Sequence, residues 1–139
     1  MRAIDTLEPD FKVKIIQLQA QLLIMGIRTV VTSGRRTIAE QDKIYAQGRT
    51  KPGSIVTKAK GGQSPHNFGL AADLCPKKED GALWWKAPDD VWNAMHRIGE
   101  QLGLRCGYDF KSIPDSPHYE DPNWKVQQAL WLDGKIEVA

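Results

Sequence analysis

The chain has 139 residues, of which 41% are hydrophobic and 26% are charged, and this length suits one compact domain and not two. Nineteen Lys and Arg residues against seventeen Asp and Glu residues leave a formal charge of +2, which is too small to indicate nucleic acid as an obligate partner. We therefore expect a single domain over residues 1–139 that does not bind nucleic acid.

The first thirty residues do not look like a secretion signal or a membrane anchor. Residues 15–27 carry no charge, but three glutamines interrupt them and acidic residues precede them. A membrane span needs about 20 apolar residues, and a secretion signal needs a basic start before its apolar run. We therefore expect a soluble protein made in the cytoplasm, without a membrane partner and with Cys75 and Cys106 as thiols.

Apolar periodicity, β-branched runs and Gly or Pro at element ends divide the chain into helices, strands and loops. In chain order, the predicted elements are a helix over about 9–25, a strand over 27–32 that ends at Ser33–Gly34, a helix over about 37–47, a loop over 48–64 with a short strand at 54–57, a strand over 70–74, a helix over 89–102 and a helix over about 123–132. Thr37 and Glu40 form a capping box at the start of the second helix, and Asp121–Pro122 suits the cap and first turn of the last helix. Since the strands are few and short, we expect an α+β domain with a small sheet.

Two of the three histidines lie in segments that also contain Pro, Ser and acidic residues. His66 sits in a predicted turn, and Asp73 follows it inside an otherwise apolar strand. A charged carboxylate in such a strand costs several kcal/mol unless a metal ion or an arginine neutralises it. The second histidine, His118, is flanked by Asp115 and Glu120.

These side chains have the composition of a catalytic zinc site. Such a site needs three protein ligands, an open position for water and a nearby base. His66, Asp73 and His118 can supply the ligands, and Asp115 or Glu120 can supply the base, but spacing alone does not choose between the two acids. The alternative is that Asp73 pairs with a buried arginine, because His and Asp in turns are common without a metal.

Other side chains capable of chemistry are assigned to packing or to the surroundings of a site. His96 lies on a predicted helix and Cys75 in a buried strand, so packing is the expected role of both. Of the five tryptophans, Trp84 and Trp85 are the candidates for a contact at the rim of a site. The lysines that give the long loop a positive charge and suit a carboxylate ligand are Lys51, Lys58 and Lys60.

Two runs carry a resemblance to a known family. The run Ser64-x-His66-x-x-Gly69-x-Ala71-x-Asp73 and the run Asp115-x-x-His118 resemble the two metal motifs of the zinc peptidases of bacterial cell walls. That family includes phage L-alanyl-D-glutamate endopeptidases and VanY-like D-alanyl-D-alanine carboxypeptidases. An upstream segment over 32–50 is similar to the endopeptidase branch, and the whole resemblance covers roughly residues 9–120.

The resemblance implies a role for each residue that matches a motif. The implied ligands of one Zn²⁺ ion are His66, Asp73 and His118. Asp115 is implied as the general base, which favours it over Glu120. Arg36 is implied to hold the substrate carbonyl or the developing oxyanion, whereas Arg35 stands where the family often has an aromatic or other residue. Ser64 is implied to hold the substrate or a group behind the metal ligands.

The resemblance also implies a fold and an activity. The fold is a small antiparallel sheet flanked by helices, as in Hedgehog-like and D,D-peptidase-like zinc peptidases, with the metal on the sheet face. The activity is that of a phage endolysin, an L-alanyl-D-glutamate endopeptidase in which zinc-bound water attacks the amide of a peptidoglycan stem peptide and Asp115 takes the proton. We expect a monomer without a separate cell-wall-binding domain, which acts on murein after release from the cytoplasm. The alternatives are a D,D- or L,D-carboxypeptidase of the same fold, a noncatalytic zinc-binding module and a basic nucleic-acid-binding domain.

Overall fold

The computed structural model describes residues 1–109 and 115–139. The α-helices in these ranges are α1 (Pro9–Ile24), α2 (Ile38–Ala46), α3 (Asp89–Gln101) and α4 (Lys125–Leu132). The strands are β1 (Thr29–Ser33), β2 (Ala71–Pro76), β3 (Arg105–Cys106) and β4 (His118–Glu120). They pair in the order β1-β2-β4-β3, and every pair is antiparallel. The predicted α+β fold with a small antiparallel sheet is therefore confirmed.

Local capping explains where the first two helices begin. The Glu8 carboxylate accepts hydrogen bonds from the amides of the first turn of α1, and Pro9 occupies a first-turn position that needs no N–H donor. At α2, the Thr37 hydroxyl accepts from the Glu40 amide at 3.0 Å, and the Glu40 carboxylate accepts from the Thr37 amide at 2.9 Å. Both helices thus begin within one residue of the positions that the sequence predicts.

The sheet has an apolar face and a polar face. Ala72 and Leu74 of β2 and Tyr119 of β4 are buried in the apolar core, which they share with one stripe of α1 and one stripe of α3. The buried residues of α1 are Phe11, Ile15, Leu18 and Leu22, and those of α3 are Trp92, Ala94, Met95, Ile98 and Gly99. Because side chains alternate along a strand, Asp73 and His118 face the other side of the sheet.

The predicted short strand at 54–57 is wrong. No neighbouring strand lies beside this segment in the described residues; instead, side chains of the preceding turn take its carbonyls. Gln47 Nε2 donates to the Ser54 carbonyl at 3.0 Å, and Arg49 Nη2 donates to the Thr57 carbonyl at 3.1 Å. The guanidinium of Arg49 also stacks on the ring of Tyr45, 3.8 Å from its centroid. The loop is therefore held by side chains and not by a strand ladder.

Several element ends differ from prediction by one or two residues. The amide of Ile27 bonds to the Leu22 carbonyl at the end of α1, so β1 begins only at Thr29. Asp121 accepts from the Asn123 amide at 2.8 Å and caps a separate turn, so α4 begins at Lys125 and not at Asn123. No helix in the described residues combines the length and the apolarity needed to cross a membrane.

Candidate metal centre

Three side chains that are remote in the sequence converge on the polar face of the sheet. Oδ1 of Asp73 lies 3.5 Å from Nε2 of His66 and 3.5 Å from Nδ1 of His118, and one ligand atom from each residue lies within 4.8 Å of the others. A tetrahedral zinc ion with ligand atoms at 2.0–2.1 Å places those atoms about 3.3 Å apart. The cluster therefore has the dimensions of a site for one divalent metal ion.

The Asp73 carboxylate has one oxygen that the described residues leave without a hydrogen bond. Oδ1 is buried and accepts no hydrogen bond from the described part of the chain, although two imidazole nitrogens face it. A buried polar atom left in this way costs about 1–3 kcal/mol. A cation between Oδ1 and the two nitrogens would remove that cost, so the residues present fit a metal ion.

Strand register and a short helix bring the three side chains together. Asp73 of β2 lies directly opposite His118 of β4. On its other side, β2 pairs with β1, where an irregularity between Val31 and Ser33 brings Ser33 opposite Asp73. His66 comes from the 3-10 helix Pro65–Phe68, which precedes β2. The site is therefore fixed by the backbone of one strand pair and one helical turn.

Each imidazole has its second nitrogen fixed by a hydrogen-bond acceptor. Nδ1 of His66 donates to the Gly34 carbonyl at 2.8 Å, and Nε2 of His118 donates to Oε1 of Glu120 at 2.7 Å. A neutral imidazole with one N–H keeps its lone pair on the other nitrogen. When each ring is neutral, as a metal ligand must be, the lone pairs therefore lie on Nε2 of His66 and Nδ1 of His118, the two atoms that face Asp73.

The charges of the cluster support one another in the metal-free protein. Burial disfavours the charged form of His118, but the Asp73 and Glu120 carboxylates outweigh it and raise the pKa of His118 to about 9. Burial also disfavours ionised Asp73, but the His118 and His66 rings hold the pKa of Asp73 well below its usual range. Metal binding must therefore release the proton of His118.

The two acids that flank His118 contact different edges of its ring. Oδ2 of Asp115 lies 3.9 Å from Nδ1, the nitrogen that faces the cluster, and the Asp115 side chain is 47% exposed. Oε1 of Glu120 contacts Nε2, and the Glu120 side chain is only 4% exposed. Burial and the Asp73 carboxylate raise the pKa of Asp115, which moves it toward the range of an efficient general base. Of the two acids, Asp115 has the position and the access to solvent that a base needs.

The two neighbouring arginines serve different parts of the structure. Nη2 of Arg36 lies 3.4 Å from Oδ2 of Asp73 and 3.3 Å from the Ser33 hydroxyl. Arg35 turns away, since its Nε donates to the Thr6 carbonyl at 3.1 Å. Arg36 is therefore the arginine that faces the cluster. It pairs with one oxygen of Asp73 and leaves the other for a metal, so pairing with arginine and metal binding are compatible.

Ser64 shapes the turn that carries His66. Its hydroxyl accepts a hydrogen bond from the His66 amide at 3.2 Å and caps the 3-10 helix. The helix ends at Gly69, whose φ of 70° is in the left-handed region that favours glycine. A Cβ at Gly69 would also overlap the Arg35 guanidinium. Ser64 is buried but lines a groove that opens over the cluster, and a contact with substrate stays a prediction.

Asn67 is a residue of this site that the sequence analysis missed. Its side chain is completely buried and makes four hydrogen bonds to the backbone. Oδ1 accepts from the amides of Gly62 and Ser64 at 2.9 and 3.3 Å, and Nδ2 donates to the carbonyls of Arg36 and Thr37 at 3.0 and 3.2 Å. Asn67 therefore joins the long loop to the segment that carries Arg36. Its place between His66 and Gly69 in the first motif was the available signal.

Gly107 is a second residue that the sequence did not single out. Its carbonyl accepts from the Asp115 amide at 2.9 Å. A Cβ at this position would overlap the Asp115 carbonyl and lie 2.7 Å from Cβ of His118. Any side chain at Gly107 would therefore displace the segment that carries both residues, and nothing in the local sequence indicates this close approach.

A groove of about 720 Å³ opens over the cluster. Residues 56–59 of the long loop and the first turn of α4 line it, together with His66 and His118. The charged side chains that line it are Arg36, Lys58, Arg105 and Lys125, with Asp115 and Glu120 as the acids. The cations outnumber the acids, so the groove favours an anionic ligand.

The tryptophan that lines this groove is Trp124, and not Trp84 or Trp85, the two that the sequence favoured. Trp84 packs against the core, and Trp85 is 48% exposed outside the groove lining. Trp124 stacks on Phe68 with ring centroids 6.0 Å apart, which attaches α4 to the turn that carries His66. His96 and Cys75, which the sequence assigned to packing, also lie outside the cluster that the described residues form.

The sequence of the chain is similar to those of known peptidases. The pattern of the family described as D-alanyl-D-alanine carboxypeptidase matches residues 57–121, which include the three clustered side chains and Asp115. The chain is 41% identical over 121 residues to the peptidoglycan L-alanyl-D-glutamate endopeptidase CwlK of Bacillus subtilis (strain 168). That alignment covers 82% of this chain and 72% of the relative.

Solved structures share the fold at low sequence identity. The L-Ala D-Glu endopeptidase ChiX of Serratia marcescens matches with a TM-score of 0.60 and 20% identity, over 96% of this chain and 88% of that one. The D,D-pentapeptidase VanY of a VanB-type resistance cassette, solved with Zn(II), matches with a TM-score of 0.62 and 18% identity, over 92% of this chain and 79% of that one. The predicted sheet-and-helix architecture is the one these structures share.

Proposed function

Because the chain belongs to the D-alanyl-D-alanine carboxypeptidase family of metallopeptidases, we propose that it is a zinc-dependent endopeptidase that cleaves the L-alanyl-D-glutamate bond of peptidoglycan stem peptides. The observation that carries this proposal is the cluster of His66, Asp73 and His118, whose two histidines line a cationic groove. The 41% identity to a peptidoglycan L-alanyl-D-glutamate endopeptidase supports the choice of bond.

The residues around the cluster have separate roles in this proposal. His66, Asp73 and His118 hold the zinc ion, which when bound supplies a positive charge that acidifies water and polarises a carbonyl. Asp115 takes a proton from the attacking water and returns it to the leaving amine. Its partial exposure and its distance of 3.9 Å from Nδ1 of His118 suit a group that exchanges protons beside the metal.

Arg36 stabilises the negative charge that develops on the carbonyl oxygen of the scissile amide. Its guanidinium is fixed from three sides, by Asp73, by Ser33 and by the Gln41 side chain, whose Oε1 lies 3.3 Å from Nη1. Gln41 is itself completely buried and donates to the Ala59 carbonyl at 2.9 Å. A cation held in this way needs little reorganisation when the charge appears, and one such donor contributes about 3–4 kcal/mol.

The charge of the groove supports an acidic peptide as the substrate. A stem peptide carries a free carboxylate on the D-glutamate residue beside the proposed scissile bond. Lys58 from the long loop and Lys125 from the first turn of α4 both line the groove. We assign the recognition of this carboxylate to these two lysines, because the sequence places no acidic residue next to either of them.

A D,D- or L,D-carboxypeptidase is the second candidate, since the family pattern that matches the chain is described as D-alanyl-D-alanine carboxypeptidase. Purified peptidoglycan digested by the zinc-loaded protein separates the two functions. The endopeptidase releases peptides with a new D-glutamate N-terminus and leaves L-alanine on the glycan, whereas a carboxypeptidase releases single D-alanine residues.

Mass spectrometry of the soluble digest reads out both products. The proposal predicts D-glutamate N-termini, their loss after treatment with a chelator and their return with Zn²⁺. The Asp115→Ala variant should bind zinc as the wild type does but cleave about 10²–10⁴-fold more slowly. An active metal-free protein would exclude the zinc mechanism, and wild-type cleavage by Asp115→Ala would exclude this base.

We further propose that the protein acts as an endolysin. In this role it is made in the cytoplasm, is released onto murein and acts as a monomer. Expression of the chain in bacteria with and without an independent membrane-permeabilising protein tests this role. Lysis is expected only when the inner membrane is opened, and the Asp115→Ala variant serves as the inactive control. Lysis without permeabilisation would contradict the role.

A further inference from the structure

Glu120 is a buried charge that the proposed mechanism does not use. The residue is 3% exposed, and an isolated carboxylate at such a position costs several kcal/mol unless partners neutralise it. Both of its oxygens have a cationic or N–H partner. Oε1 lies 2.7 Å from Nε2 of His118, and Oε2 lies 3.2 Å from Nη1 of Arg105.

Strand pairing holds this arrangement in register. Arg105 of β3 lies directly opposite Glu120 of β4, and His118 lies two residues before Glu120 on the same face of β4. The order Arg105, Glu120, His118, Asp73 therefore runs across the polar face of the sheet from the edge strand β3 to β2. The Glu120 carboxylate is fixed by Arg105 on the side opposite His118, so its orientation toward the ring does not depend on solvent.

From this geometry we infer that Glu120 is the positioning residue of the metal site: it fixes the His118 ring and keeps the proton on Nε2, so that the Nδ1 lone pair points at the metal. The inference rests on the proposed zinc site. Coordination through Nδ1 needs a defined ring rotation, because a half-turn about the Cβ–Cγ bond moves Nδ1 away from Asp73. The contact between Nε2 and Oε1 opposes this rotation.

Glu120 also makes the two histidine ligands unequal. His66 donates to a neutral carbonyl, that of Gly34, whereas His118 donates to a carboxylate. A carboxylate partner increases the basicity of a ligating imidazole more than a carbonyl does, and loss of such a partner typically costs 10–100-fold in metal affinity. Glu120 should therefore contribute to the affinity for zinc without touching the metal or the substrate.

Competition with a chelator measures the affinity of the whole chain for Zn²⁺. We expect Glu120→Ala to weaken Zn²⁺ binding 10–100-fold. Glu120→Gln keeps a neutral acceptor for Nε2–H and should recover most of the loss, to within a few-fold of wild type. Glu100→Gln is the matched control, because Glu100 lies 3.5 Å from Nε2 of His96 on α3, outside the site, and should leave the Zn²⁺ affinity unchanged.

A spectroscopic measurement separates positioning from a general loss of stability. Co²⁺ in place of Zn²⁺ gives visible absorption bands that depend on the ligand geometry, and the bands of Glu120→Ala should shift whereas those of Glu120→Gln and Glu100→Gln should match wild type. Wild-type affinity and bands in Glu120→Ala would overturn the inference and leave the proposed function intact. Absence of Zn²⁺ binding by the wild-type protein would instead overturn the proposed function.

If Glu120→Ala does not fold, the inference is tested on Glu120→Gln and wild type by NMR with ¹⁵N-labelled histidine. The NMR spectrum of the Zn²⁺-loaded protein should then show His118 protonated at Nε2 and metal-bound at Nδ1, as in wild type. Protonation at Nδ1 in either protein, with Nε2 bound to the metal, would contradict the inference.

Discussion

Oδ1 of Asp73 and Nδ1 of His118 lie 3.5 Å apart at a directly paired position of β2 and β4. The two residues of β2 that share the face of Asp73, Ala71 and Cys75, carry no charge and are both completely buried. Asp73 is therefore the charged side chain that β2 contributes to this face of the sheet.

Asp73→Asn should remove the metal without unfolding the chain. The amide oxygen is a much weaker zinc ligand than a carboxylate, and the side chain keeps its size. We expect at least about a 100-fold loss of Zn²⁺ affinity, beyond the 10–100-fold typical of a residue behind the ligands, and loss of peptidase activity. Zinc content after dialysis and a thermal melt measure the two effects. A variant that retains one zinc per chain would contradict the ligand set.

The stability of the metal-free protein should fall as pH rises from about 6.5 to 9. The carboxylates of Asp73 and Glu120 outweigh burial and raise the pKa of His118 from 6.5 to about 9. The stabilisation is thus complete below the unfolded pKa of 6.5 and is lost as pH rises through 9. Urea unfolding of the chelated protein at pH 6 and pH 9 measures it, with His118→Gln as the control that should flatten the difference. Saturating Zn²⁺ should abolish the fall, because the metal replaces the proton.

Arg36→Ala and Arg35→Ala form a matched pair of adjacent substitutions. Arg36 faces Asp73, whereas Arg35 bonds to Thr6 at the N-terminal turn. Loss of an oxyanion-stabilising donor costs about 10²–10³-fold in kcat, so Arg36→Ala should show this loss with little change in KM. Arg35→Ala should keep wild-type kcat and lose at most about 1 kcal/mol of stability. Equal kcat values for the two variants would exclude the assigned role of Arg36.

Asn67→Ala should be one of the most destabilising single substitutions in the described structure. It removes the partner of four backbone groups, and each group left buried without a partner costs about 1–3 kcal/mol. We expect a loss of at least about 3 kcal/mol in denaturant unfolding. Gln63→Ala is the control, since its side chain accepts from the Lys60 amide at an exposed position, and it should change stability by no more than about 0.5 kcal/mol. Equal losses would refute the role of Asn67.

Reversing the charge of both Lys58 and Lys125 should lower kcat/KM on acidic stem peptides by about tenfold or more, because both lysines line the groove. The salt dependence of kcat/KM should also reverse, because attraction of the substrate becomes repulsion. The double variant Lys58→Glu/Lys125→Glu is compared with Lys78→Glu, which lies outside the groove lining. Lys78→Glu should retain wild-type kinetics. A similar small effect in both proteins would show that the groove does not recognise a carboxylate.

Short-range chemistry explains which parts of the fold the sequence predicts well. The first turn of α1 and the capping box of Thr37 and Glu40 depend on residues within four positions of one another, so the sequence alone locates them. The β3 and β4 strands have two and three residues, too few for a periodic pattern, and they form only because β2 pairs with β4. The loop at 54–57 has β-branched residues but no partner strand, so its composition predicts the wrong structure.

For the site, the sequence by itself determined which side chains are available: two imidazoles and one carboxylate in motifs whose spacing resembles that of a metallopeptidase family. Only the tertiary structure decided how they are used. The pairing of β2 with β4 set the distance between Asp73 and His118, and the contacts with Gly34 and Glu120 selected the nitrogen of each ring that faces the cluster. A side chain's chemistry is a property of its own atoms, but its tautomer, its pKa and its orientation depend on neighbours that only chain folding brings into contact.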